Sequence, residues 1–145
     1  MKRLLSIFTK PKPWLALFIL WLAALCVASS FSTNLPEEAP KIPHFDKIAH
    51  FSYFFCGGII LTTWLLLKHG TITSRITRYL LPIIFFSIFG AIDEYRQTFT
   101  PGRSGNDLYD WLADFLGGAC GVLFANTFHC FLLKFSSSMA PESEN

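Results

Sequence analysis

Asp93 and Glu94 stand side by side with Gln97 one helical turn further on, and Asp107, Asp110 and Asp114 follow at spacings of three and four. A separate stretch supplies Asp46, His50 and Tyr53, again at helical spacing, and Arg103 lies between the two acidic groups. Carboxylates beside one imidazole can take and return protons, which makes Asp93, Glu94 and His50 the candidate acid and base residues. The same oxygens can hold a hard divalent cation, and Asp93, Glu94 and Asp114 are the candidate ligands. Without turnover, Asp46, His50, Tyr53, Gln97, Asp107 and Asp110 add hydrogen-bonding groups for a polar ligand, and Arg103 can clamp a phosphate or carboxylate. There is no HExxH, no GxSxG and no lipid-phosphatase set of Lys, Arg and two His. Catalysis and simple binding both stay open.

These residues need elements to hold them, and the composition says which. With 52% hydrophobic and 15% charged residues, the chain lies outside the soluble balance and reads as an all-α membrane protein. A hydrocarbon core about 30 Å thick needs roughly 20 apolar residues per helix. Spans are expected at 14–31, 48–67, 79–99 and 111–133, making residues 1–135 one transmembrane domain. The third is apolar only from Tyr79 to Ile92, roughly 21 Å of helix, so it must borrow length, here by running on to Phe99. The fourth carries Asp114 just inside its start, where a carboxylate is costly.

Lys2, Arg3, Lys10 and Lys12 precede the first span, and Lys68, Arg75 and Arg78 separate the second from the third. By the positive-inside rule both segments, and both termini, are cytoplasmic, in a multi-pass protein of the plasma (inner) membrane. The basic start followed by an apolar run also fits a signal peptide, but its length and the three later spans favour a retained first helix. Pro11 and Pro13 punctuate entry to that helix. The loop "NLPEEAPKIP" is proline-broken, "KHGTITSRITRY" joins an antiparallel pair of spans, and "TPGRSGND" holds turn signals, with Asn106 or Asp107 capping span four. The tail 136–145 is polar and expected to be disordered. Cys26, Cys56, Cys120 and Cys130 all fall within spans and read as small buried apolar side chains. The bases are spread along flanks with no interleaved aromatics, so no nucleic-acid surface is expected.

On ideal helices Asp46, His50, Tyr53 and Gly57 form one stripe, Asp93 and Gln97 share a face with Glu94 one step round, and Asp107 and Asp114 share a face with Gly118 and Ala125. Gly118 and Gly121 let another helix approach. Three spans thus present acids at one depth, pointing inward, and the six acids exceed Lys47, Arg96 and Arg103 by about three. Raised pKa values, a divalent cation or a hydrogen-bonding ligand must meet that surplus. Arg96 reads as snorkelling or ion-pairing on another face.

"DKIAHFSYFFCGG" and "AIDEYRQTFTPGRSGNDLYDWLADFLGG" resemble the VanZ-like family, whose pattern is D-K-x-x-H-F-x-x-Y, D-E-x-x-Q-x-F-x-x-x-R, then D-x-x-x-N-x-x-G-x-x-x-G. The likeness covers roughly residues 45 to 125. The family often has Asn where Asp114 stands, so this site carries an extra potential charge. The resemblance implies an integral membrane protein and, for the founding member, low-level resistance to the glycopeptide teicoplanin. It implies no reaction. Three readings follow from the residues: an outward-facing carboxylate site engaging a cell-envelope component such as a lipid-linked precursor, a membrane-embedded or metal-assisted hydrolase acting on a lipid-linked head group, or a structural or adaptor protein whose acids and Arg103 form an interhelical ion-pair latch.

Overall fold

The computed structural model describes residues 9–31, 44–70, 74, 76–103 and 105–138. It is an all-α bundle whose described residues include no strand: α1 (Pro11–Ala28), α2 (Phe45–His69), α3 (Leu81–Gln97) and α4 (Leu108–Ser138), with a π-helical turn at Ile76–Leu80 leading into α3. Among the described residues, four helices are long and apolar enough to cross a membrane. Lys2, Arg3, Arg75, the proline-broken loop 34–43 and the tail from 139 lie outside the described residues; α4 itself continues to Ser138.

Three helices start earlier than expected, for local reasons. Pro11 and Pro13 sit in the first turn of α1 rather than before it, where a missing N–H is harmless and the fixed φ suits a helix. α2 opens at Phe45 and so takes in Asp46 and Lys47. Asp107 caps α4 with its carboxylate on the Tyr109 N–H at 2.8 Å.

The third span borrows its length from the other end. α3 stops at Gln97, short of Phe99, and the extra turn comes from Ile76–Leu80, giving a span of 22 residues or about 33 Å. Pro82 explains the π turn. It has no N–H for the Arg78 carbonyl four residues back, and its ring crowds that carbonyl. Buried Asn126 of α4 takes over the freed acceptor, donating from Nδ2 to Arg78 O at 3.3 Å and accepting on Oδ1 from Arg78 Nε and Nη2 at 3.1 and 3.0 Å.

Glycines set the tightest contact. A Cβ on Gly117 would meet the Phe51 carbonyl oxygen, one on Gly121 that of Phe55, and one on Gly58 the Gly118 oxygen at 2.6 Å. α2 and α4 therefore touch backbone to backbone, the close approach that small residues allow in lipid. α1 docks on the outside through Trp21, which stacks on Tyr53 and Phe18 and meets Phe54 and Phe86 edge-on. Two hydrogen bonds fix it: Trp21 Nε1 to Tyr53 O at 3.1 Å and Tyr53 Oη to Trp21 O at 2.8 Å.

Polarity is arranged inside out. Asp93, Glu94, Asp110, Asp114 and Asn126 are buried, while Ile19, Leu20, Ile84, Ile88, Leu123 and Phe124 are exposed on the helix faces. The cysteines correct the sequence reading: Cys56, Cys120 and Cys130 face outward and Cys26 is half-buried. In a membrane bundle an apolar side chain is served as well by lipid as by the protein interior, so lying within a span does not imply burial.

Candidate functional site

The end of α1, the start of α2, the end of α3 and the start of α4 meet at one end of the bundle, and the acids gather there. The turn between α3 and α4 places them. Pro101 and Gly102 (φ 79°) form a tight turn closed by Arg103 N–H to Thr100 O at 3.2 Å, a conformation in which glycine carries the positive φ. Asn106, also at positive φ, donates its N–H to Glu94 O at 3.2 Å. The next N–H, that of Asp107, donates to Glu94 Oε2 at 2.9 Å. One carboxylate of α3 thereby fixes where α4 begins.

Deeper in, His50 of α2 lies between α3 and α4. Its Nδ1 is 2.9 Å from Asp114 Oδ1 and 3.9 Å from Glu94 Oε1, and its Nε2 is 3.8 Å from Asp46 Oδ1. Gly90 makes room: a Cβ there would lie 2.9 Å from the Asp114 Cβ and 3.0 Å from Oδ2. Asp114 is 0% and Glu94 3% exposed, and Asp114 Oδ2 and Glu94 Oε1 accept no hydrogen bond among the described residues. Buried polar atoms are ordinarily satisfied, so two orphan carboxylate oxygens beside one imidazole mark a place built for something else.

Lys47 bridges the rim, 2.8 Å from both Asp107 Oδ2 and Asp110 Oδ1 and 3.8 Å from Asp46 Oδ2. The hydrogen bond from Lys47, reinforced by the Tyr109 N–H, holds the Asp107 carboxyl below the usual carboxylate range. On α3, Asp93 turns away from Glu94, accepting from Gln97 Nε2 at 2.9 Å on Oδ2 with Arg96 Nη1 3.6 Å from Oδ1. Arg96 then reaches the end of α1, donating to Cys26 O at 3.3 Å, Ser30 Oγ at 3.1 Å and Ser29 Oγ at 3.4 Å. A guanidinium there satisfies a helix C-terminus and complements its dipole.

Of the residues the sequence singled out, His50, Glu94, Asp110 and Asp114 converge, with Asp46 and Asp107 on the rim. Asp93 and Gln97 are buried beside them as a separate pair, and the groups whose possible ligand atoms lie within 4.8 Å of one another are His50, Glu94 and Asp114 and, beside it, Asp46, His50 and Asp110. Adjacent helix residues diverge by about 100°, which separates Asp93 from Glu94. Tyr53 is spent on α1. The Arg103 side chain makes no ion pair with the acids among the described residues, and Lys47 does what the latch reading asked of Arg103. Asn126 went unnoticed in the sequence; its signal was a lone amide in an apolar span.

A cleft of about 330 Å³ opens beside these acids, lined by Ala91, Glu94, Asn106, Asp107, Leu108 and Trp111. Trp111, part of its wall, is held by donating from Nε1 to Ser87 O at 3.0 Å. The chain matches no family model, no curated protein and no solved structure.

Proposed function

We propose that this is a multi-pass plasma-membrane protein of VanZ-like type, with both termini in the cytoplasm and its acidic end facing outward. That end engages a polar component of the cell envelope, the head group of a lipid-linked precursor being the partner its chemistry suits. One observation carries this reading: Glu94 belongs both to the buried group with unsatisfied oxygens and to the wall of the open cleft. A head group rich in N–H and O–H donors entering between α3 and α4 would supply the missing bonds without leaving the membrane edge. Low-level resistance to teicoplanin-type glycopeptides is the cellular role that the resemblance suggests.

Purified protein titrated with a lipid-linked cell-wall precursor tests the proposal. Saturable binding is expected, weakened at least tenfold by Glu94→Gln and by Asp114→Asn, with both variants still abundant in the membrane. Unchanged affinity in both, or no saturable binding by the folded wild type, sinks it. A second reading, hydrolysis of the same head group, is favoured by the His50 and Asp114 contact, which would orient the imidazole as a general base. Release of the head group, followed by mass spectrometry in the same incubation, separates turnover from binding.

A further inference from the structure

We infer that His50 Nδ1, Glu94 and Asp114 form a binding site for a divalent first-row transition cation. The inference deepens the reading above by naming what neutralises the acids of that same site. One ligand atom from each of the three residues lies within 4.8 Å of the others. Metal–ligand bonds near 2.1 Å put neighbouring ligand atoms about 3 Å apart. The His50 and Asp114 pair already has that spacing at 2.9 Å, and Glu94 Oε1 at 3.9 Å closes the gap with a shift of about 1 Å.

The independent mark of a ligand is the Glu94 carboxylate, 3% exposed, with Oε1 on the side of the imidazole and bonded to nothing described. In the forms that ligate a metal, two ionised carboxylates and a neutral imidazole, the trio carries about −2, which a divalent ion cancels. Mixed nitrogen and oxygen donors favour Mn²⁺ or Zn²⁺ over Ca²⁺, which takes six or more oxygens. A ligating histidine commonly donates its other N–H to a carboxylate, and Asp46 stands on the Nε2 side of His50 at 3.8 Å. The neighbouring group of Asp46, His50 and Asp110 is the weaker alternative. Its Asp46 carboxylate is 61% exposed, and its Asp110 is held by Lys47 at 2.8 Å, an ammonium that repels a second cation.

The test is a titration of the full-length protein in detergent with Mn²⁺, followed by electron paramagnetic resonance. One saturable site is expected, with ¹⁴N modulation from an imidazole that disappears in His50→Gln, and with displacement by Zn²⁺. Glu94→Gln and Asp114→Asn lower the affinity at least tenfold, whereas Asp93→Asn changes it less than twofold. The absence of saturable binding to wild type that retains its thermal transition overturns the inference. So does binding that keeps its nitrogen signal in His50→Gln, a readout on wild-type and variant spectra that does not depend on an acid variant folding. Precursor binding by wild type that shows no saturable Mn²⁺ site sinks the cation site and spares the envelope reading. Mn²⁺ binding with no precursor binding leaves the cation site standing and sinks the envelope reading.

Discussion

Asp107 and Asp114 are the same side chain two helical turns apart, and their surroundings give them opposite tasks. Asp107 has 29% of its side chain exposed, caps α4 and pairs with Lys47, so it behaves as a structural anion. Its carboxyl is held below its ordinary value, chiefly by the Lys47 hydrogen bond. A depressed carboxyl stabilises the fold at pH above its unfolded pKa of about 3.9, and that contribution disappears as pH falls through the lower folded value. Thermal melts in detergent from pH 7 to pH 3 should therefore show a loss on the order of 0.5 kcal/mol that Asp107→Asn removes, since Asn keeps the cap and loses the charge. Parallel pH profiles for the two proteins would take the Lys47 pair out of the account. Asp114 is fully buried with one oxygen unsatisfied, a placement that capping or ion-pairing at a surface does not explain. Much of this difference was legible in the sequence, because Asp114 is the acid that falls inside an apolar run. The separation of Asp93 from Glu94 was not, since helical periodicity fixes angles between neighbours but not which of two adjacent acids meets α2.

At the scale of elements, α3 shows how a short apolar segment becomes a span. The sequence revealed the shortage but not its remedy, because the remedy is a contact between residues 48 positions apart: the Asn126 amide serving the carbonyl that Pro82 leaves free. Asn126→Leu should cost about 1–3 kcal/mol, the range for orphaning a buried acceptor. In a Pro82→Ala background the new N–H can close the ordinary helical bond to Arg78 O, and the same Asn126→Leu change should cost less than half as much. Measured by unfolding in mixed detergent, equal costs in the two backgrounds would show that Asn126 serves only the Arg78 side chain. The four spans themselves were legible because length and mean hydropathy are local properties. The glycine contact between α2 and α4 was legible in outline from Gly118 and Gly121, whereas its partner surface, the Phe51 and Phe55 carbonyls, depends on register and had no local signal.

For the whole molecule, the inside-out distribution links stability to orientation. The surface toward lipid is built from exposed Leu, Ile and Phe, so it contributes little to holding the helices together, since lipid tails solvate these side chains as well as another helix would. Cohesion must come from what lies between them: the glycine contact, the Trp21 and Tyr53 exchange, the Arg96 link to α1 and the Lys47 bridge. The last two lie at the acidic end, where the termini of the four described helices come together. The opposite end carries the described bases Lys10, Lys12, Lys68 and Arg78, and this asymmetry predicts its side of the membrane. In a cysteine-free background, exposed Thr98→Cys should react with a membrane-impermeant maleimide in intact cells, while exposed His69→Cys should react only after the membrane is opened. The reverse pattern would put the acidic cleft on the cytoplasmic side and overturn the outward-facing orientation. Labelling of both sites in intact cells would mean that the bundle inserts in two orientations, and the described charge asymmetry would then be too weak to set its direction.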